Sequence, residues 1–526
     1  AKADDPVLFP HDPVFSDTDR GAPWRLRLPA WRALLTSALS LTDGDPVNAF
    51  RLLGTAALLV YLLSMYSLLY RQTFSTSVAT LGAAVSMAIF SVGRPYWGMG
   101  PTFAVGPAAM YMAVCPLLVL GVLGWARRWL VLGVFLLAGA AANVDFVFGS
   151  NFVLVAAMTV VALNRFGPRG WLLALSGVVV ASIGAAPAYW HYYRAFIAAG
   201  GFPPPFGAAH LAELLAMGKL TPLYPRVLIE GLRWLPVAAG LAIPAGIILT
   251  RAGRYRVGQQ PGLVWMLVAA LMVAFGLHGL MQLVGRLLGT APPYVEFFDA
   301  LRLAMLPLYA LFAQAMVQLL RLAHRQRAWA RAVLAAFAII YLGSSYNTRP
   351  LRRLMLDGVV LAAGEQPPSR DLAAMEMRRI AVWAARRTPR DALMIAADPQ
   401  LRAFGRRSLP AGASADLKPL YYLAPDRLSV WADRLARLRK ATNPPDRPRA
   451  QPDAILRMVD TWRAELGAES APAYILLETH LAPEPVGRLV RIEGPWGRRW
   501  QLYLIRPEGP SRERPPAGPA AAPAGR

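Results

Sequence analysis

The sequence predicts an α-helical polytopic membrane protein with a soluble α/β domain at its C-terminal end. Residues 50–346 form a series of apolar segments separated by short basic loops. A segment such as Trp171–Tyr189 has the length for a transmembrane helix, which takes about 20 apolar residues. After residue 350 charged residues become frequent, and stretches with helical and strand periodicity alternate. This alternation favours a small layered α/β domain.

The composition agrees with a membrane protein. Of the 526 residues, 56% are hydrophobic, whereas soluble domains contain about 45–50% apolar residues. The net charge of +24 comes mostly from Arg. Because much of this charge lies in loops between apolar segments, it favours control of membrane topology over binding of nucleic acid. The single cysteine, Cys115, excludes an intrachain disulfide and a cysteine metal cluster.

The distribution of Arg predicts the number of spans. Every second loop is basic, and these loops together contain twelve Arg and no acidic residue. They are therefore placed in the cytoplasm, and both ends of the chain lie outside it. The alternation requires the short fourth and fifth segments to be separate crossings. The ten predicted spans are Phe50–Tyr70, Phe74–Val92, Val105–Trp125, Trp129–Ala142, Phe152–Leu163, Trp171–Tyr189, Trp234–Thr250, Leu263–Val284, Leu301–Leu320 and Ala328–Tyr346.

Four parts follow from this topology. Residues 1–49 are an extracytoplasmic first loop, in which Pro29–Leu41 is predicted to be an interfacial helix. Residues 50–346 are the transmembrane domain, 350–506 an extracytoplasmic α/β domain, and 507–526 a disordered tail rich in Pro, Ala and Gly. Because the chain begins with Ala and enters an Asp-rich loop directly, we expect at least one more span upstream.

In the α/β domain, periodicity predicts three helices and four strands. The helices are Asp371–Arg387, Pro425–Leu438 and Asp453–Leu466, and the strands are Ala392–Ala396, Tyr474–Glu478, Arg488–Ile492 and Trp500–Ile505.

Acidic residues are confined to one side of the predicted topology. Residues 1–346 contain twelve Asp or Glu, and all fall on the outer side. Either acids avoid the cytoplasmic loops, or an outer cavity uses carboxylates. Asp5 and Asp12 of the first loop, and Asp145 in a short turn between two spans, are the catalytic candidates, because a carboxylate at a dry boundary can act as a general base. The structural alternatives are solvated turns for the first two residues and a helix cap for Asp145.

Six further outer-side residues are candidates for binding substrate or a lipid phosphate: Arg94, His191, Arg194, Glu296, Asp299 and Arg302. Asp299 and Arg302 are three residues apart and share a helical face. Arg302 would lie just inside the membrane, where it needs a partner or an anionic ligand such as a phosphate. The alternatives are an internal ion pair for these two residues and interfacial anchoring around Arg94 and Arg194.

Motifs for nucleotide and metal-protease chemistry are absent from the sequence. It contains no G-x-x-x-x-G-K-[ST], no H-E-x-x-H and no G-x-S-x-G. This disfavours nucleotide-driven transport by this chain alone.

Two stretches carry a resemblance. DPVLFPHDPVF (Asp5–Phe15) is similar to a D-P-x-L-[FY]-P-x-D segment in a group of uncharacterised bacterial polytopic proteins. The stretch that begins TPRDALMIAADPQLRAF (Thr388–Leu420) is similar to their C-terminal domain. Together with the topology, these stretches resemble the bacterial GT-C glycosyltransferase superfamily. That superfamily's acidic motif lies directly after the first span, and this chain begins beyond it, so the resemblance reaches Asp5 and Asp12 only as members of the same loop.

The resemblance implies a glycosyltransferase of the bacterial inner membrane with a polyprenyl-phosphate-linked sugar as donor. An outer-loop Asp would deprotonate the acceptor or hold a metal, and Arg302, Arg194 or Arg94 would hold the leaving phosphate. The expected partners are this donor and membrane lipids, without nucleic acid. A divalent cation such as Mg²⁺ or Mn²⁺ is left open.

Two other functions stay open. A lipid-linked saccharide flippase or other transporter would carry charges within spans and paired broken helices. A non-catalytic scaffold would use its outer domain to bind a partner.

Overall fold

Helices build the first part of the fold, and a small sheet with flanking helices builds the second. The computed structural model describes residues 28–88, 106–124, 128–194, 234–251, 261–287, 297–325, 328–344, 370–396, 400–403, 405–410, 428–442, 449–494 and 499–507. These residues form two compact units. The described part of the helical unit ends at Ser344, and the described part of the C-terminal unit begins at Arg370.

Each of the ten predicted spans contains a helix in the structure. The helices are α1 (Pro29–Ser40), α2 (Pro46–Thr73), α3 (Thr76–Ala88), α4 (Pro107–Gly124), α5 (Arg128–Ala141), α6 (Phe146–Leu163), α7 (Pro168–Gly184), α8 (Ala186–Tyr192), α9 (Trp234–Arg251), α10 (Pro261–Leu271), α11 (His278–Leu287), α12 (Leu301–His324) and α13 (Ala328–Ser344). A π-helical turn, Met272–Leu277, joins α10 to α11, and a 3₁₀ turn, Phe297–Ala300, precedes α12.

Four helices in the described ranges are long and apolar enough to cross a membrane: Asn48–Thr73, Phe146–Leu163, Gly262–Met281 and Phe297–His324. A fifth crossing is possible if α7 and α8, which meet at a bend of 63°, form one broken span. The chain therefore has several membrane-spanning helices, and the total of ten stays a prediction.

Helix α12 is the most enclosed of the four long helices. In its most apolar part 78% of the residues are buried, and it contacts α3, α9, α10 and α13. A helix that is apolar on all sides belongs in the interior of a bundle. Any polar side chain at the start of α12 therefore lies among other helices.

Helices α5 and α7 approach each other so closely that main chain meets main chain. A Cβ atom added at Gly139 would collide with the carbonyl oxygen of Ala181, and one added at Gly184 would collide with that of Leu136. Small residues at such contacts allow dense packing between helices in a membrane. This closely packed pair also contacts α6.

The predicted interfacial segment is a helix, α1. Trp31 and Ala38 of α1 are buried in a small cluster with Ala49 and Leu53 of α2. Leu34 is 36% exposed. The apolar side of α1 therefore packs on the start of α2.

The C-terminal unit contains a four-stranded sheet of order β1-β2-β4-β3. Strands β1 and β2 are parallel, and the other two pairs are antiparallel. The elements are α14 (Arg370–Arg387), β1 (Leu393–Ile395), α15 (Gln400–Ala403), α16 (Leu428–Thr442), α17 (Pro452–Leu466), β2 (Ala473–Glu478), β3 (Leu489–Ile492) and β4 (Trp500–Ile505). All seven predicted elements are present.

One face of α14 covers this sheet. Met377, Ile380 and Ala384 are buried in a cluster with Tyr474 and Leu502 of the strands. Their spacing of three and four residues produces the apolar stripe by which a surface helix packs. The opposite face of α14 is exposed and basic.

Candidate functional site

Asp145 forms the N-cap of α6. Its backbone is extended (φ −141°, ψ 103°), and its carboxylate accepts a hydrogen bond of 3.0 Å from the amide of Phe148. This bond satisfies one of the amides at a helix start that have no partner within the helix. The helix therefore begins at Phe146, earlier than the predicted Phe152. The cap geometry is the structural alternative that the sequence allowed, and the site role of Asp145 stays a prediction.

Asn143, in the same turn, holds the break between α7 and α8. Its Nδ2 donates to the main-chain oxygens of Ala140 and Gly184, each at 2.9 Å, and its Oδ1 accepts from the amide of Ala188 at 2.8 Å. The side chain thus binds groups on both sides of the bend. The sequence signal for this bend is Pro187, which lies inside the predicted sixth span.

Helix α8 places aromatic side chains against the start of α6. The ring centroid of Phe146 lies 4.9 Å from that of Tyr189 and 5.4 Å from that of Tyr192. His191, half-buried, lies beside Tyr192 with ring centroids 5.8 Å apart. Arg194 is exposed, and its guanidinium lies 4.8 Å from the centre of the Trp190 ring. This contact fits the interfacial alternative for Arg194.

Asp299 and Arg302 are buried together at the start of α12. The side chain of Asp299 belongs to the 3₁₀ turn, and that of Arg302 to the first turn of α12. They are 6% and 4% exposed, and Arg302 Nε lies 3.7 Å from Asp299 Oδ1. That separation is an ion pair but is too long for a hydrogen bond. Arg302 Nε is buried and forms no hydrogen bond with another described residue.

Phe148 connects this ion pair to Asp145. The guanidinium carbon of Arg302 lies 5.5 Å from the centre of the Phe148 ring, while the amide of Phe148 is bonded to Asp145. Residues that are far apart in sequence therefore meet at the start of α6. Asp145 bonds the main chain of Phe148 and Arg302 lies over its ring, while α8 contacts the neighbouring Phe146.

The π-helical turn also faces this region. Phe298 packs against Phe275 of that turn at 5.3 Å and against His278 at 4.8 Å, measured between ring centroids. Single π-helical turns are frequent at functional sites. His278 is buried, and its ring contact with Phe298 joins the start of α11 to the 3₁₀ turn. No sequence pattern indicates the π-helical turn itself.

Arg302 lies close to the start of its helix, an unfavourable position for a cation. A cation in the first turn of a helix opposes the positive end of the helix dipole, whereas an anion there is stabilised. Arg302 has this unfavourable position, and Asp299 offsets it only in part because no hydrogen bond joins Nε to the carboxylate. The guanidinium has five N–H donors. The arrangement is suited to binding an anionic oxygen, such as one from a phosphate.

Four predicted site residues lie outside the described ranges: Asp5, Asp12, Arg94 and Glu296. The described residues bring Asp145, Asp299 and Arg302 together, with His191 on the adjoining α8. Within these ranges no group of three His, Cys, Asp or Glu side chains is arranged to hold a metal ion.

Comparisons with known proteins give structural similarities alone. No protein-family description matches the chain, and no curated protein matches it. Two solved structures of ArnT from Cupriavidus metallidurans are similar. The apo structure has a TM-score of 0.45 and 16% identity, over 91% of this chain and 87% of that one. The structure bound to undecaprenyl phosphate has a TM-score of 0.46 and 16% identity, over 93% and 90%.

Proposed function

We propose that this protein is a membrane glycosyltransferase that takes a sugar from a polyprenyl-phosphate donor at the outer side of the bacterial inner membrane. The observation that supports this most is the buried Arg302, which lies at a helix start with its Nε atom unbonded among the described residues. Burying a cation costs free energy unless a partner compensates it. A bound donor phosphate would provide the missing acceptor.

Each residue has a stated role in this proposal. Arg302 binds the lipid phosphate and stabilises the negative charge that grows on it as the sugar leaves. Asp299 orients Arg302 through the ion pair. Asp145, or one of Asp5 and Asp12, deprotonates the acceptor hydroxyl or amine. One oxygen of Asp145, Oδ1, accepts the cap bond from the amide of Phe148.

The test is turnover of labelled undecaprenyl-phosphate sugars by the full chain in lipid nanodiscs, with a panel of hydroxyl and amine acceptors. We expect Arg302→Gln to lower turnover by about 10²–10³-fold, as the loss of a transition-state donor does. Arg302→Lys should retain part of it, since Lys keeps the charge without the planar fork. Arg169→Gln, at an exposed position on α7, is the matched control.

Asp145→Asn separates chemistry from folding, because Asn caps a helix about as well as Asp does. If Asp145 is the base, this variant loses turnover while its unfolding midpoint stays unchanged. If turnover persists, the same substitution at Asp5 and Asp12 locates the base in the first loop. Unchanged turnover in Arg302→Gln contradicts the assignment of the phosphate site.

A transporter of lipid-linked saccharides is the second candidate, and the broken span favours it. Helices α7 and α8 meet at 63°, and broken helices line the binding sites of many transporters. Donor binding without sugar transfer, together with movement of label across a sealed vesicle membrane, would support this candidate over the transferase.

A further inference from the structure

The C-terminal unit has a cluster of exposed Arg side chains where α14 ends. Arg386 and Arg387 lie in the last turn of α14, Arg390 follows the helix, and Arg406 belongs to the loop that precedes Ser408. All four side chains are exposed. These four residues are called the basic patch below. None of them belongs to the site at the start of α6.

The buried Arg407 brings the loop to the end of α14. Its Nη2 donates to the main-chain oxygens of Ala385 at 3.0 Å and Thr388 at 2.5 Å, and its Nη1 donates to that of Arg406 at 3.0 Å. Arg406 is therefore held beside the helix end. Burial and then the charge of Arg390 lower the pKa of Arg407.

The backbone at Arg406 is in a conformation that glycine adopts more readily. Its φ is +51°, in the left-handed region. The preceding Gly405 has no room for a side chain, because a Cβ atom there would collide with the carbonyl oxygen of Leu401. A strained residue held by its surroundings is a reason to look for a function. Here the strain presents a charged side chain to solvent.

The patch has a surplus of positive charge. Arg386, Arg387 and Arg406 form no ion pair with another described residue, and Asp391 is the one acidic residue within 386–391 and 405–410. The hydrogen bonds of Arg407 go to four main-chain oxygens and one hydroxyl, so no carboxylate neutralises it by direct bonding. The C-terminal end of a helix dipole offsets only about half of one charge.

We propose that the basic patch binds the phosphates of anionic phospholipid headgroups. Arg binds phosphate oxygens in a bidentate manner and is weakly hydrated, so it gives up water at low cost. The patch belongs to the same chain as apolar helices long enough to cross a membrane, which makes a lipid surface a natural source of such phosphates. Each Arg near an anionic surface strengthens the attraction roughly five-fold.

The experiment places a fluorophore at the patch and a quencher on lipid headgroups. In a Cys115→Ala background, Pro389→Cys is labelled in the full chain, which is reconstituted in nanodiscs with headgroup-nitroxide lipid. One set of discs contains phosphatidylcholine alone, and the other contains half phosphatidylglycerol. Ala464→Cys, at an exposed position on α17, reports a surface away from the patch.

We expect quenching at residue 389 to rise at least two-fold with phosphatidylglycerol and to fall at high salt, as screened charges require. Arg→Gln at all four patch residues should abolish the rise. The charge-matched control changes four other exposed basic residues to Gln: Arg439, Lys440, Arg457 and Arg491. It should retain the rise.

Three results would overturn the proposal. The first is equal quenching in both lipid mixtures, and the second is an equal loss in the control variant. The third is a rise that persists in the variant with Arg→Gln at all four patch residues. Hydrogen exchange in β2 checks that the Arg→Gln variant is folded. None of these results depends on sugar transfer, so the proposed function is tested separately.

Discussion

Arg302 and Arg407 are each 4% exposed, but their surroundings differ in kind. Arg407, in the C-terminal unit, donates five hydrogen bonds, two of them to Thr388, at distances of 2.5–3.3 Å. Arg302, in the helical unit, has one carboxylate at 3.7 Å, an aromatic ring, and a buried Nε without a hydrogen bond to any described residue.

The difference distinguishes a structural cation from a candidate binding cation. A guanidinium whose donors all meet protein oxygens holds the chain in place and has little capacity for a ligand. A buried guanidinium with poor partners costs stability, and function is a common reason for such a cost. Burial alone would rank the two residues equally. Their hydrogen bonds separate them.

The strongest test of this contrast is a double-mutant cycle on the Asp299–Arg302 pair. Arg302→Met alone leaves a carboxylate buried without its cation and should cost about 3–5 kcal/mol, whereas Asp299→Leu with Arg302→Met should be neutral or stabilising. Unfolding of the full chain in mixed micelles, followed by hydrogen exchange in α12, measures both. A double variant as unstable as the single one would mean that Arg302 has a structural role like that of Arg407.

The second test is Arg407→Gln, which should open the C-terminal unit. Gln is too short to reach the carbonyl groups of the α14 end and the adjacent loop, and hydrogen bonds to a charged group contribute about 1.5–3 kcal/mol. We expect the free energy of opening of the C-terminal unit to fall by about 3 kcal/mol. This corresponds to hydrogen exchange in β2 that is roughly a hundred-fold faster. Arg406→Gln, one residue away and exposed, should change the free energy of opening by less than about 0.5 kcal/mol. Equal effects would remove the distinction between buried and exposed Arg here.

The contrast between the two Arg residues also shows what sequence could foresee. Spacing alone placed Asp299 and Arg302 on one helical face, and the structure pairs them. For Arg407, the resemblance of Thr388–Leu420 pointed to the segment. Its hydrogen bonds to Ala385 and Thr388 depend on how a loop packs against the end of a helix. Sequence periodicity does not predict that loop conformation.

Secondary structure likewise divides into features that local sequence patterns predict and features that depend on the fold. Apolar runs predicted the helices, and strand periodicity predicted β2, β3 and β4 to within one residue at each end. The start of α6 was missed because Asp145 caps the helix from within a polar turn. The hydrogen bonds of Asn143 to Gly184 and Ala188 cross more than forty residues, and they follow from the fold alone.

A third test asks whether the helical unit is loosely packed in general, which would make the poor bonding of Arg302 uninformative. Gly139→Ala on α5 would force a Cβ atom into the main chain of Ala181 and should cost about 2–3 kcal/mol. Gly133→Ala on the same helix meets open space and should be neutral or slightly stabilising. Thermal unfolding in detergent compares the two. A tolerated Gly139→Ala would indicate slack packing.

The smallest effect concerns Tyr474, which lies near Arg407 in the C-terminal unit. Burial raises the pKa of Tyr474 above its usual 10.0, and the charge of Arg407 lowers it in part. Removing that charge in Arg407→Gln should therefore raise this pKa further, and an ultraviolet titration of the phenol against Tyr474→Phe measures it. Because the folded pKa lies above the unfolded one, the contribution of Tyr474 to stability is fully present below pH 10 and is lost as the pH rises through the folded pKa, by at most about 1.4 kcal/mol per pH unit. Tyr474→Phe should reduce this loss of stability at high pH. An unchanged Tyr474 titration in Arg407→Gln would mean that the Arg407 charge is already screened. The hydrogen bonds of Arg407 to main-chain oxygens would then be its main contribution to the C-terminal unit, unlike Arg302, whose Nε has no such bond to a described residue.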